Sequence, residues 1–224
     1  MKKIFLVALA IFAAANFSYS QILIHNMEGT YTGDASIGNW NGYYYGSLTG
    51  GTAAYSASVY HSGAQSLALQ GNFTNSGTDI IGSYVISSTG ENWASAGNPS
   101  KISFWVKSSA STTALVKIGI QETYGPGTND YEQWDLRSSV SYSPTTTWTQ
   151  YSYELNETNF ERVYSPGSGG NNTLDLTNIT NVRFIVIKNT ESSNSNLSVY
   201  FDDAYRGRRD FNLLNDMEGT MTNG

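Results

Sequence analysis

Between Lys101 and Leu155 the chain repeats one local pattern: short apolar runs alternate with polar residues at a period of two, and each run ends at Gly, Pro, Asn, Asp or Ser. KISFWVKSS opens the stretch; ALVKIGIQ, the turn-rich YGPGTND, DYEQWDL and TWTQYSYEL follow. A period of two sends successive side chains to opposite faces of an extended strand, and turn formers between such strands favour antiparallel hairpins. A helix would need apolar residues three and four apart, and no segment shows that spacing convincingly. Further strands are predicted at Ile22–His25, Ser66–Gln70, Asp79–Ser87, Asn181–Lys188 and Leu197–Tyr205. Loops are predicted at Tyr31–Gly51, Gly90–Ser100 and Asn156–Thr173. Roughly ten strands at this spacing predict an all-β protein: one antiparallel β-sandwich, with the jelly roll as its favoured topology.

The alternation also separates the faces. In Ala114–Gln121, Val116, Ile118 and Ile120 share the core face, which leaves Leu115, Lys117, Gly119 and Gln121 outward. In Asp130–Arg137, Trp134 and Leu136 point inward, with Tyr131, Gln133, Asp135 and Arg137 outward. Pairing of the two strands lays both outward sets on one sheet face. That face combines an aromatic ring, amides, charges and a glycine that leaves room. It suits a sugar, whose rings have apolar faces and whose hydroxyls donate and accept. An ordinary solvated sheet face has the same residue types, and the two readings stay open at this point.

Composition narrows the classes of function. The chain of 224 residues has no cysteine and two histidines, His25 and His61, which excludes thiolate zinc sites, a cysteine nucleophile and a histidine-rich metal centre. Residues 1–20 read as a secretory signal peptide: Lys2 and Lys3, an apolar run from Ile4 to Ala15, and Ser18-Tyr19-Ser20 as a small-residue cleavage site. The apolar run is too short to span a bilayer, so no membrane insertion is expected and the location is secreted or cell-surface. Loss of the two lysines moves the net charge from −6 to −8, which argues against nucleic acid as a partner.

The two ends of the chain repeat each other. Leu23-Ile24-His25-Asn26-Met27-Glu28-Gly29-Thr30 returns as Leu213-Leu214-Asn215-Asp216-Met217-Glu218-Gly219-Thr220. A repeat at domain length divides the chain into the signal peptide (1–20), one β-domain (21–207), and a linker with the truncated start of a second repeat (208–224). Further repeats of the same chain are thus expected partners. A fraying remnant and a strand donated to a neighbouring subunit are the alternatives.

Several elements in a fixed order resemble the β-jelly-roll carbohydrate-binding modules, family 11 and the family 4, 9 and 22 group in particular. They are Met27-Glu28-Gly29, Gly63-Ala64-Gln65-Ser66-Leu67, Phe104-Trp105-Val106-Lys107, Tyr131–Leu136, Trp148–Tyr153 and Tyr200-Phe201-Asp202-Asp203-Ala204. The resemblance spans Ile22 to Arg206. It implies a structural calcium ion between the first and last strands, held by Glu28 and by Asp202 or Asp203, with carbonyls around His61–Ala64 as helpers; calcium takes several oxygen ligands. Strict alternation places the two aspartates on opposite faces, so one of them is the expected ligand. The resemblance also implies a polysaccharide or other glycan bound on a concave sheet face. That falls on Tyr131, Gln133, Asp135, Arg137, Lys117 and Gln121, with Tyr124 in the turn and Trp40, Tyr43, Trp93 or Tyr164 as rim candidates. Trp134, Trp148, Tyr151 and Tyr153 read as core packing, and Trp105 is left open.

The expected function is a non-catalytic carbohydrate-binding module of a secreted or cell-surface protein. A structural or adhesion repeat without a glycan ligand is the alternative. A glycoside hydrolase is the third class, which needs two carboxyl groups flanking the scissile bond. Among the candidates, Glu132 and Asp135 lie on opposite faces by parity, and Glu122 shares the inward parity.

Overall fold

In the computed structural model the described residues are 22–28, 43–45, 48–74, 79–94, 101–125, 130–166, 170–188 and 194–207, with backbone alone at 22, 43–45, 84–89 and 194–195. Residues 1–20, Trp40 and the repeated tail lie outside them. Among the described residues twelve strands run in chain order: β1 (Ile22–His25), β2 (Tyr43–Tyr45), β3 (Thr49–Ser56), β4 (Ser66–Phe73), β5 (Asp79–Glu91), β6 (Lys101–Ser108), β7 (Leu115–Thr123), β8 (Tyr131–Leu136), β9 (Thr149–Glu154), β10 (Phe160–Tyr164), β11 (Ile179–Lys188) and β12 (Asn194–Arg206). They form two antiparallel sheets. The first has the order β3-β4-β12-β6-β9, with β1 also on β12; the second is β10-β8-β7-β11-β5-β2.

The period-two runs place the core between these sheets. Ile102, Phe104 and Val106 of β6 meet Val116, Ile118 and Ile120 of β7, and all six are fully buried. Phe104, Phe201 of β12 and Phe184 of β11 join the layers, with ring centroids 5.0–6.0 Å apart. Truncating such a buried ring to Ala costs about 3–5 kcal/mol. Among the described residues no helix is long and apolar enough to cross a membrane.

Three strands depart from the sequence reading. β10 occupies the expected loop Asn156–Thr173, and β2 and β3 the stretch around Tyr43–Ser56. β10 has one buried residue, Phe160, followed by half-buried or exposed ones, so its pattern carries no alternation. β3 is an edge strand with two glycines and no buried residue. Neighbouring strands hold these segments extended where local propensity does not.

Candidate functional site

The register of the second sheet assembles a polar face. Gly119 of β7 lies opposite Asp135 of β8 and Arg183 of β11; Gln121 lies opposite Gln133 and Asn181; Thr123 lies opposite Tyr131. These residues have the parity opposite to the core set. Their side chains bond across strands rather than along them. Arg183 donates through Nη1 to Gln133 Oε1 (2.9 Å) and through Nη2 to Asp135 Oδ1 (2.5 Å). Gln133 Nε2 donates to Gln121 Oε1 (3.2 Å), Gln121 Nε2 to Thr180 Oγ1 (3.4 Å), and the Thr180 and Thr123 hydroxyls share a bond of 2.9 Å. One hydrogen-bonded row therefore crosses β8, β7 and β11.

Arg183 was not among the predicted site residues. The signal was present: it is the lone charge in Val182–Ile187, flanked by core residues, so its side chain must leave on the outer face. Gly119 explains how it lies there. A Cβ at 119 would collide with Asp135 Oδ1 and stand 2.6 Å from Arg183 Nε. The room predicted at this glycine is thus filled by the ion pair. Burial pushes the Asp135 carboxyl up, and the Arg183 guanidinium pulls it back. Lys117 is lowered by burial against the pull of Asp135 and Glu161, the latter 3.8 Å away. Lys117, Gln133 and Arg183 are all buried although they point away from the apolar core, so they form a recessed floor.

The ends of this floor differ. At one end Tyr131 and Tyr164 meet with centroids 6.1 Å apart, and Tyr164 is exposed. Tyr124, also exposed, follows in the hairpin turn, where its N–H donates to the Asp130 carbonyl. At the other end Arg137 donates to the Glu157 carbonyl (3.2 Å) and to Glu161 Oε2 (3.4 Å), which braces it against the loop before β10. Glu161 was missed because its strand read as loop. All seven predicted glycan residues thus lie along this face or at its turn. Trp93 does not form the rim: it is 2 % exposed, donates to Glu91 and lies beneath Arg206. Tyr43 belongs to β2, and its side chain lies outside the described set, as does Trp40.

The hydrolase candidates sit elsewhere. Glu122 and Glu132 are register partners on the inward side, each buried. They strap a loop. Asn172 N–H donates to Glu132 (3.2 Å), Leu174 N–H to Glu157 (3.0 Å) and Leu176 N–H to Glu122 (2.7 Å). Arg162 also pairs with Glu132 at 2.9 Å. Burial raises Glu122 to about 7. These carboxylates hold backbone, and Asp135 faces away from them.

A third set of carboxylates joins the first and last strands. β1 pairs with the end of β12, and Glu28 follows it. Glu28 Oε1 accepts from Ala64 N (2.6 Å) and Gln65 N (3.0 Å), packed on Gly63, whose φ of +64° and absent Cβ make the approach possible. Asp202 Oδ2 accepts from the N–H groups of His61 (2.8 Å) and Ser62 (3.2 Å), and its Oδ1 from Asp203 N. Asp203 Oδ2 accepts from Ser62 Oγ (2.6 Å) and meets His61 Nδ1 (3.1 Å). The two aspartates do not diverge as strict alternation required. The β12–β6 register shifts after Asp202, and Asp203 takes a φ of +43°, so a bulge turns both onto one turn. His61 stacks on Trp105 at 3.7 Å, with Trp148 edge-on at 5.8 Å. That settles Trp105 and corrects Trp148, which has the outward parity of β9.

The three carboxylates gathered at this corner, Glu28, Asp202 and Asp203, are of the chemistry that calcium prefers, although the His61 ring nitrogen stands among them. The corner's geometry is less suited: the turn presents N–H groups where carbonyls were expected, and among the described residues no three acidic or histidine side chains converge as a metal cage.

Comparison with known proteins decides the family. Residues 19–200 match the model of the carbohydrate binding domain of family 11. The chain belongs to that family. Modules of this family bind carbohydrate and are non-catalytic, and such modules occur in secreted or cell-surface proteins. Among solved structures, the family 11 module of a cellulosomal cellulase of Clostridium thermocellum is similar, with 20 % identity, 85 % of this chain and 95 % of that chain covered, and a TM-score of 0.58. The family 11 module from the same organism in complex with a β-1,3-1,4-mixed-linked tetrasaccharide gives 20 % identity, coverages of 84 % and 94 %, and the same score. A family 30 module of another cellulosomal cellulase of that organism gives 15 %, 86 %, 99 % and 0.53. These similarities support the jelly-roll sandwich. No curated protein sequence matches.

Proposed function

We propose that this module binds a β-glucan chain on the outer face of the second sheet. The observation that carries the reading is the row Arg183–Gln133–Gln121, bonded across three strands and ending at exposed tyrosines. Sugar rings would stack on Tyr131, Tyr164 and Tyr124, while Gln121, Gln133, Asp135, Lys117 and Arg137 meet hydroxyls. The mixed-linked tetrasaccharide bound by a similar family 11 module supports glucan as the class. Asp135 and Glu161, the carboxylates on this face, are each paired with cations, which supports binding without chemistry.

Affinity electrophoresis through gels containing mixed-linked glucan, xylan, mannan or pectin tests this. Retardation by mixed-linked glucan, lost in Arg183→Ala and in Tyr131→Ala/Arg137→Ala, is the expected result. Undiminished retardation of a folded Arg183→Ala variant would move the site off this face. Release of reducing sugar from the glucan would reject the non-catalytic reading.

Three features complete the proposal. Residues 1–20 direct export. The repeated Met217-Glu218 matches Met27, which is fully buried, and Glu28, which clasps the turn; this supports a second copy of the domain beginning at the tail. The excess carboxylate charge at Glu28, Asp202 and Asp203 supports the calcium ion that the resemblance implies. Bound there, calcium would bridge first and last strands. At a hundredfold excess over its dissociation constant it would raise the unfolding midpoint by about 5–10 °C. Equal midpoints in calcium and in chelator would leave the N–H groups as the sole clasp.

A further inference from the structure

The flank of the sandwich carries a tyrosine cluster that the sheet-face reading does not use. Tyr142 is 56 % exposed, and its ring lies parallel to Tyr151, with centroids 5.3 Å apart and an interplanar angle of 8°. Tyr153 lies 6.4 Å from the same ring at 24°. Phe104 backs both β9 tyrosines at 6.3 Å, so the ring series runs from the core to solvent.

The segment holding Tyr142 is pinned to both sheets. Its carbonyl accepts from Val116 N–H of β7 (3.0 Å), and the Thr145 carbonyl accepts from Ser108 N–H of β6 (2.7 Å). Tyr151 Oη donates to the Ser143 carbonyl (3.3 Å). Tyr142 pairs with Val116, a core residue, and therefore has the parity opposite to Lys117 and the polar floor. This surface is separate from the proposed glucan face.

One hydroxyl here lacks a partner. Tyr153 is 7 % exposed, and its Oη is buried without a hydrogen bond. Such a group costs free energy until a donor or acceptor reaches it.

We infer that Tyr142, backed by Tyr151 and Tyr153, is a second glycan site that takes one hexopyranose ring with equatorial hydroxyls. A ring of that kind has axial C–H bonds on its faces, which suit the negative face of an aromatic ring. Tyr153 Oη stays enclosed beneath the stack, so recognition falls to the exposed ring of Tyr142 and to its hydroxyl, which both donates and accepts. Because the platform is already held by stacking and by two sheets, little side-chain freedom is lost on binding.

Amide NMR of the full chain, titrated with the mixed-linked tetrasaccharide, tests the assignment. Two sets of shifts are expected: one on Gln121, Gln133 and Arg183, and one on Ser141–Ser143 and Tyr151. Tyr142→Ala weakens the second set about tenfold or more and leaves the first unmoved. Tyr142→Phe preserves the stacking ring and keeps the second set, with at most a few-fold loss. Flank amides that stay still throughout the titration, or that shift unchanged in Tyr142→Ala, overturn the inference. Flank shifts without sheet-face shifts would uphold it and reject the glucan face instead, so the two readings fail separately.

Discussion

Asp202 is fully buried and Asp135 largely so, yet the protein satisfies them by opposite means. On the sheet face Asp135 meets a guanidinium carried by a side chain from another strand, within a row of exchangeable hydrogen bonds. At the strand junction Asp202 meets three backbone N–H groups of fixed direction. A side-chain partner can shift when a ligand hydroxyl offers a substitute; a backbone partner moves only if the fold moves. The first arrangement serves recognition and the second serves the scaffold.

The largest expected effect tests the scaffold half. Asp202→Ala leaves three N–H groups without an acceptor and should cost about 4 kcal/mol in urea unfolding. The folded fraction should keep its glucan affinity. A loss of affinity larger than the loss of folded protein would break the comparison.

Arg183→Ala should cost about 2–3 kcal/mol, because the largely buried Asp135 loses its hydrogen-bonded cation and keeps only the more distant Lys117. It should also abolish retardation in glucan gels. Stability loss with full binding would make Arg183 a scaffold residue too.

Glu122 offers a third case, a buried carboxylate held by backbone donors of one loop, Leu176 N–H foremost. Its folded value, about 7, lies above the ordinary 4.5, so the stability contribution is complete below 4.5 and is lost as pH rises toward 7. Glu122→Gln keeps an acceptor for Leu176 N–H and should remove about 2 kcal/mol of that decline. Unfolding curves at pH 5 and pH 8 measure it, and parallel decline in both proteins would show that the strap does not depend on this charge.

The smallest effect sharpens the recognition half. Gly119→Ala pushes on Asp135 and Arg183 together and should cost about 1–2 kcal/mol of stability, with several-fold weaker glucan retardation. Unchanged binding would mean that the pair can shift without disturbing the face.

Much of this was legible before the fold was known. The strands that bury alternate residues on one side announce themselves, and from β6 to β8 both faces were read correctly because the core set is Val, Ile, Phe, Trp and Leu without interruption. β10 was not legible because only Phe160 is buried in it, and the loss of that strand hid Glu161. Alternation misled at Asp202-Asp203, where a left-handed backbone at a non-glycine residue breaks the period. No composition rule signals such a bulge; it arises from β1 and β6 pairing β12 in registers that shift nearby. Trp93 was misplaced for a related reason. Its loop returns to the sandwich through N–H bonds from Trp93 and Ala94 to the Leu176 carbonyl, a long-range contact invisible in local sequence.

The stack of His61 between Trp105 and Trp148 has an optical consequence. The described indole rings stand at the strand junction and in the core, where Trp93 and Trp134 are buried, whereas the described aromatics of the sheet face and the flank are tyrosines. Excitation near the red edge of the absorption band, where phenols are dark, therefore watches the junction together with the buried Trp93 and Trp134 as the scaffold opens. Shorter wavelengths add the surfaces where sugar would sit. Loosening of the scaffold and occupancy by glycan can be followed as two colours of one unlabelled protein.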